Sequence, residues 1–112
     1  MLKPSLHVDT TDVILPIDPK LFSSFIEHIG RAVYTGIYEP GHPAADEYGF
    51  REDVKELLRP LNLALIRYPG GNFAAGYNWR DGIGHREKRP MRRDMAWQAL
   101  ESNLVGVDEF CN

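Results

Sequence analysis

With a single cysteine, Cys111, the chain has no internal disulfide, and this composition fits a reducing compartment. No apolar run is long enough to span a bilayer, and Met-Leu-Lys-Pro-Ser-Leu-His at the N-terminus lacks the apolar core of a signal peptide. Neither charge sign dominates. Thirteen Lys and Arg against sixteen Asp and Glu leave a formal net charge of −3, so no global field favours nucleic acid or an anionic membrane. Hydrophobic residues at 43% exclude wholesale disorder, and 112 residues suffice for one small domain with a modest core. The expectation is a soluble, cytoplasmic protein.

The most informative stretch is Arg67-Tyr68-Pro69-Gly70-Gly71-Asn72. Leu63-Ala64-Leu65-Ile66 before it reads as a strand buried on both faces. Pro69 cannot donate to a ladder, and Gly70-Gly71 permits backbone angles that other residues tolerate poorly. Arg67 and Asn72 therefore fall at the C-terminal mouth of a strand, where α/β proteins bind ligands. An ordinary strand-to-loop turn with a salt-bridged arginine is the plainer alternative.

Upstream, Leu6 and Val8 alternate with polar neighbours, Asp9 to Asp12 has turn character and Val13-Ile14-Leu15 is apolar, which predicts a short β-hairpin over residues 5–15. Pro16 and Pro19 mark a boundary. Leu21 to Ile29 reads as a strand from its aromatic and β-branched content, although the spacing of Phe22, Phe25, Ile26 and Ile29 also suits a helical face. Glu27 near its end is costly to desolvate unless it is paired, binds something or points to solvent. Tyr34 and Tyr38 in the following loop are placed either to stack on a sugar ring or to pack the loop down. Phe50, Val54, Leu57, Leu58 and Leu61 form one helical stripe, with a start at Asp46 or Glu47 and a stop near Arg59, before Pro60. Strand, helix and strand make a βαβ unit whose two strands are parallel. Both C-terminal strand ends then lie on one edge of the sheet and gather Glu27-His28, Arg67 and Asn72.

From Asn72 to the next helical start at Val107 the connection is long, which points to function when disorder is excluded. Trp79 and Trp97 within it offer aromatic platforms for a sugar, or pack the loop. The basic cluster Arg86, Lys88, Arg89, Arg92 and Arg93 is interleaved with Glu87 and Asp94, which argues against a nucleic-acid site.

Four segments carry a resemblance: Phe25-Ile26-Glu27-His28-Ile29-Gly30, Gly36 through Pro43, Arg67 through Phe73, and Gly76-Tyr77-Asn78-Trp79. With Arg86 through Pro90 and Asn103 through Phe110, they resemble the N-terminal portion of the intracellular α-L-arabinofuranosidases of glycoside hydrolase family 51. The resemblance implies an α/β fold comprising the first two β/α units of a TIM (β/α)8 barrel over residues 17–112. Residues 1–16 would be an N-terminal β segment that joins a β-sandwich, and the barrel would be truncated at the start of its second helix. It further implies a retaining glycosidase acting on terminal non-reducing α-L-arabinofuranosyl residues, with homo-oligomers among full-length members and no cofactor or metal. Glu27, Asn72, Arg67 and Trp97 would bind substrate, Arg67 by ordering the catalytic carboxylate and Trp97 by approaching the aglycone. Retaining hydrolysis needs two carboxyl groups roughly 5–5.5 Å apart. In the family they arise on later barrel strands, so neither is expected within these residues and the chain alone is expected to be inactive. An endoglucanase-like member of the same family and a non-enzymatic carbohydrate-binding module are the alternatives.

Overall fold

The computed structural model describes residues 3–112; Met1 and Leu2, which open the expected N-terminal β segment, lie outside the described residues. A 3-10 turn at Pro19–Phe22 leads into β1 (Ser24–Phe25), and α1 (Glu52–Leu58) runs into a second 3-10 turn and then β2 (Ile66–Arg67). β1 and β2 pair in parallel, Ser24 opposite Ile66 and Phe25 opposite Arg67, as the βαβ spacing predicts. The ladder continues past the strand ends. Ile26 N donates to Arg67 O at 3.0 Å, and His28 N donates to Pro69 O at 3.2 Å. This register carries Glu27 alongside the Gly70-Gly71 turn.

Several boundaries differ from the expectation, each for a local reason. Leu21 and Phe22 belong to the 3-10 turn, because the Asp18 side chain accepts from Lys20 N and starts a turn at Pro19. α1 begins at Glu52 rather than Asp46. The Asp46 carboxylate instead accepts from Tyr48 N at 2.9 Å and Phe50 N at 2.8 Å, and Gly49 at φ +94° turns the chain away from a helical path. The expected stop holds: after Leu58 the chain tightens into the 3-10 turn Arg59–Leu61, and Asn62 leaves in the left-handed region. The hairpin over residues 5–15 is absent. Its turn exists, with Asp9 Oδ1 accepting from Thr11 N at 2.9 Å, but the arms do not pair and Val13, Ile14 and Leu15 are exposed. A two-stranded ribbon with no surface beneath it is marginal in water. β2 is likewise not buried on both faces, since Leu65 and Ile66 are 44% and 49% exposed and, among the described residues, it pairs with β1 alone.

The core lies in the loops that follow the strands. Val33, Tyr38 and Val105 are buried together, with Ile26, Tyr34, Ile37, Phe50, Leu104 and Phe110 packed around them. The long connection is ordered by three 3-10 turns and a small antiparallel hairpin, β3 (Arg92–Arg93) with β4 (Leu100–Glu101), and ends in α2 (Val107–Cys111). Arg89 ties this region down. Its guanidinium donates to Gly84 O at 2.7 Å, to Asn103 O at 3.0 Å and to both oxygens of Glu109 at 2.9 Å. Glu109 also accepts from Gly106 N at 2.7 Å, satisfying the first turn of α2. The basic cluster is therefore largely engaged within the chain: Arg86 also meets Glu109, Arg92 meets Asp81 and Arg93 meets Gln98.

Candidate functional site

Glu27 is half-buried at the end of the β1 ladder, and three segments converge on it. Its Oε1 accepts from the Phe73 backbone N–H at 2.9 Å and from the Trp97 indole N–H at 3.1 Å. The Phe73 amide, helped by the indole and by the Gly71 and Asn72 amides, outweighs the cost of desolvation and holds the carboxyl below the usual carboxylate range. Glu27 is accordingly an ionised acceptor. The approach needs glycine at position 70: a Cβ there would meet Glu27 Cγ at 2.3 Å and Glu27 Cβ at 2.6 Å, and φ is +136°.

Asn72 follows this turn with an exposed side chain, its own backbone beside Glu27. Trp97 lies far away in sequence but touches Glu27 directly, so acid and indole meet beside the Asn72 backbone. Arg67 sits on the same strand end with a different set of contacts. Its guanidinium stacks 5.1 Å from the Phe25 ring centroid, and its Nη2 donates a long bond of 3.4 Å to Gly70 O. Of the other aromatic candidates, Tyr38 is buried in the core, Tyr34 bonds to Glu101, and Trp79 is 54% exposed with the Arg80 guanidinium over it.

Sequence reasoning missed the buried polar group behind this patch. His28 Nδ1 donates to Glu101 Oε2 at 2.8 Å, the Tyr34 hydroxyl donates to Glu101 Oε1, and Asn103 N donates to the same oxygen at 2.6 Å. The His28 ring stacks on Phe73 with centroids 4.7 Å apart, and Tyr34 and Tyr68 meet it edge-on. Burial raises the Glu101 pKa, yet the bonds from His28, Tyr34 and Asn103 win and the carboxyl stays below its ordinary value. The available signal was a lone carboxylate in the otherwise uncharged run from Leu100 to Val105.

A cavity of about 320 Å³ opens on the far side of Glu101, lined also by Phe73, Tyr77, Asn78, Asp81 and Arg92. None of Glu27, Arg67, Asn72 and Trp97 is on its wall. Among the described residues no group of three or more His, Cys, Asp and Glu is gathered to hold a metal ion, and no helix is long and apolar enough to cross a membrane.

Residues 57–112 match the family model of the α-L-arabinofuranosidase 1 domain. The chain is 58% identical over 106 residues to an intracellular exo-α-(1→5)-L-arabinofuranosidase of Bifidobacterium longum, covering 95% of this chain and 19% of that protein. It is 56% identical over 110 residues to intracellular exo-α-(1→5)-L-arabinofuranosidase 1 of Bacillus subtilis, covering 98% and 22%. The solved family 51 α-L-arabinofuranosidase of Bifidobacterium longum superposes with a TM-score of 0.80 at 62% identity, over 82% of this chain and 18% of that one. The thermostable family 51 enzyme of Thermotoga petrophila gives 0.84 at 48% identity, over 89% and 21%. The chain thus spans about a fifth of the length of the relatives it matches. A family model spanning half of the chain, with relatives 58% and 56% identical over nearly all of it, shows that the chain belongs to the α-L-arabinofuranosidases of glycoside hydrolase family 51.

Proposed function

We propose that this chain is the N-terminal part of a retaining α-L-arabinofuranosidase that releases terminal α-L-arabinofuranosyl residues from arabinose-containing oligo- and polysaccharides. β1 and β2 would be the first two strands of its (β/α)8 barrel, residues 17–112 the start of that barrel, and residues 1–16 a strand of an adjoining β-sandwich. A cytoplasmic homo-oligomer is the matching assembly.

The observation that carries the reading is the Glu27 carboxylate at the strand end, bound by the Phe73 amide and the Trp97 indole with the Asn72 backbone alongside. Its Oε1 takes the Phe73 amide and the Trp97 indole, and Oε2 is the oxygen placed to accept from a sugar hydroxyl. The Asn72 amide can donate and accept toward a neighbouring hydroxyl, and the half-exposed Trp97 ring offers an apolar face to the aglycone. Glu27 is a binder rather than the acid/base: a general acid must hold a proton near neutral pH, and here amide and indole donors stabilise the charged form. Glu101 is no substitute, because His28, Tyr34 and Asn103 already occupy its oxygens. The nucleophile and acid/base carboxyls come from the remainder of the enzyme, and Arg67 orders that catalytic carboxylate.

The test is an assay of the enzyme of the relatives' length that carries this chain, with an aryl α-L-arabinofuranoside and with cello-oligosaccharides. Arabinose released with retained anomeric configuration is the expected result. Cleavage of the cello-oligosaccharides alone overturns the reading in favour of an endoglucanase, and sugar binding without turnover favours a carbohydrate-binding module.

A stability prediction applies to the same enzyme. Arg89→Met leaves Glu109 only Arg86 and the Gly106 amide and strands the Gly84 and Asn103 carbonyls, and should cost about 1–3 kcal/mol in urea unfolding at neutral pH. Glu109 is held below its usual value of 4.5: burial opposes this, but the Arg89 bond and the Gly106 amide prevail. A depressed carboxylate stabilises above its unfolded pKa and loses that contribution as pH falls through the folded value. The gap between wild type and variant should therefore narrow below pH 4.5; a gap independent of pH would contradict the assignment.

A further inference from the structure

We infer that Glu101 is a positioning residue for the substrate site: it tethers the hairpin that carries Trp97 to the strand that carries Glu27. The inference rests on the subsite reading above. Trp97 sits in the turn between β3 and β4, and hydrogen bonds tie that turn to its arms. Asp94 N donates to Ala99 O at 2.9 Å, and the Asp94 carboxylate accepts from Ala96 N at 3.0 Å and from Trp97 N at 2.7 Å. Glu101 is in β4, opposite Arg92. Its carboxylate reaches across to His28, the residue next to Glu27, while Tyr34 and Asn103 hold its other oxygen.

The adjacent residues Glu27 and His28 give the hairpin two separate attachments just past one strand end: the Trp97 indole on Glu27 and the Glu101 carboxylate on His28. The first attachment is half-exposed and rests on one bond. The second is buried, with His28 and Glu101 7% and 5% exposed. A buried carboxylate is expensive to desolvate, and an apolar side chain would fill the space at lower cost. What an apolar residue cannot supply is direction. Three donors converging on one carboxylate fix where β4 lies against β1, and with it where the Trp97 ring stands over the sugar.

Glu101→Gln replaces one acceptor oxygen with an NH2 group. His28 must then give up its Nδ1 proton and carry it on Nε2, which is buried with no partner among the described residues. The shift should loosen the hairpin and act through Trp97. In the enzyme of the relatives' length, the ratio of kcat/KM for an arabino-oligosaccharide to that for a nitrophenyl arabinofuranoside should fall about tenfold in Glu101→Gln and about threefold in Tyr34→Phe. Both changes should vanish in a Trp97→Phe background, since two substitutions acting through one group are not additive.

Equal losses on both substrates, or effects that add to those of Trp97→Phe, would show a merely structural role and overturn the inference. If Glu101→Gln does not fold, the milder Tyr34→Phe carries the same cycle. A Trp97→Phe enzyme with an unchanged ratio would locate the failure in the assignment of Trp97 to the aglycone side, and the inference would fall with it.

Discussion

Glu27→Ala, in the enzyme of the relatives' length, should lower kcat/KM for an aryl α-L-arabinofuranoside by about 10²–10³-fold, because hydrogen bonds to sugar hydroxyls that strengthen at the transition state supply several kcal/mol. The carboxylate is prearranged for this role, with one oxygen bound by Phe73 N–H and the Trp97 indole. Glu27→Gln keeps the shape but sets an NH2 group either against those donors or against the sugar, and a loss of about tenfold is expected. The pH dependence has a definite sign. The Glu27 pKa lies below 4.5 through its hydrogen bonds, so its acceptor function is complete at neutral pH and is lost only as pH falls through that lowered value. A limb of the rate profile centred near neutral pH is expected to belong to another group. Steady-state kinetics of both variants from mildly acid to neutral pH checks this, and a loss below about threefold in Glu27→Ala would remove Glu27 from the subsite.

The 112-residue chain by itself should show no turnover of an aryl arabinofuranoside and no cooperative heat-absorption peak. Its Cα radius of gyration is 18.9 Å, against about 13 Å for a compact domain of this length. The buried apolar residues are Val33, Tyr38, Phe73 and Val105 among those described, whereas Leu6, Val13, Ile14 and Leu15 are each more than 70% exposed. In α1, Leu57 at 77% faces water along the stripe that the sequence marks as apolar. A two-stranded parallel sheet with open edges invites association. Calorimetry should give a broad trace, and the polypeptide should bind a dye that reports exposed apolar surface. A sharp endotherm, or release of nitrophenol by the purified chain, would overturn this expectation.

Elements whose chemistry is local were legible in the sequence. The Pro-Gly-Gly turn, the stop of α1 near Arg59 and the start of α2 at Val107 follow from backbone constraints that a few adjacent residues impose. The parallel pairing of β1 and β2 followed from spacing alone. The start of α1 was misplaced because Asp46 has two uses for its carboxylate, and the turn amides of Tyr48 and Phe50 won over a helix end. The residue 5–15 hairpin failed because alternation specifies which face is apolar without supplying a surface for it. Burial of β2 was over-read for the same reason. Glu101 and the Trp97–Glu27 contact depend on residues 73 and 70 positions apart, a distance over which periodicity and turn chemistry carry no information.

Gly70 has one more implication. The atoms that a side chain there would need are already those of the Glu27 stem, so the two positions share a single volume. They cannot drift separately. Shortening residue 27 does not make room for an alanine at 70: Glu27→Asp keeps the Cβ that would lie 2.6 Å away and the backbone Cα at 2.8 Å, so Gly70→Ala with Glu27→Asp should be no better tolerated than Gly70→Ala alone. The space for the acid's stem is set by what its neighbour omits, and engineering of this sugar site has to treat the pair as one unit.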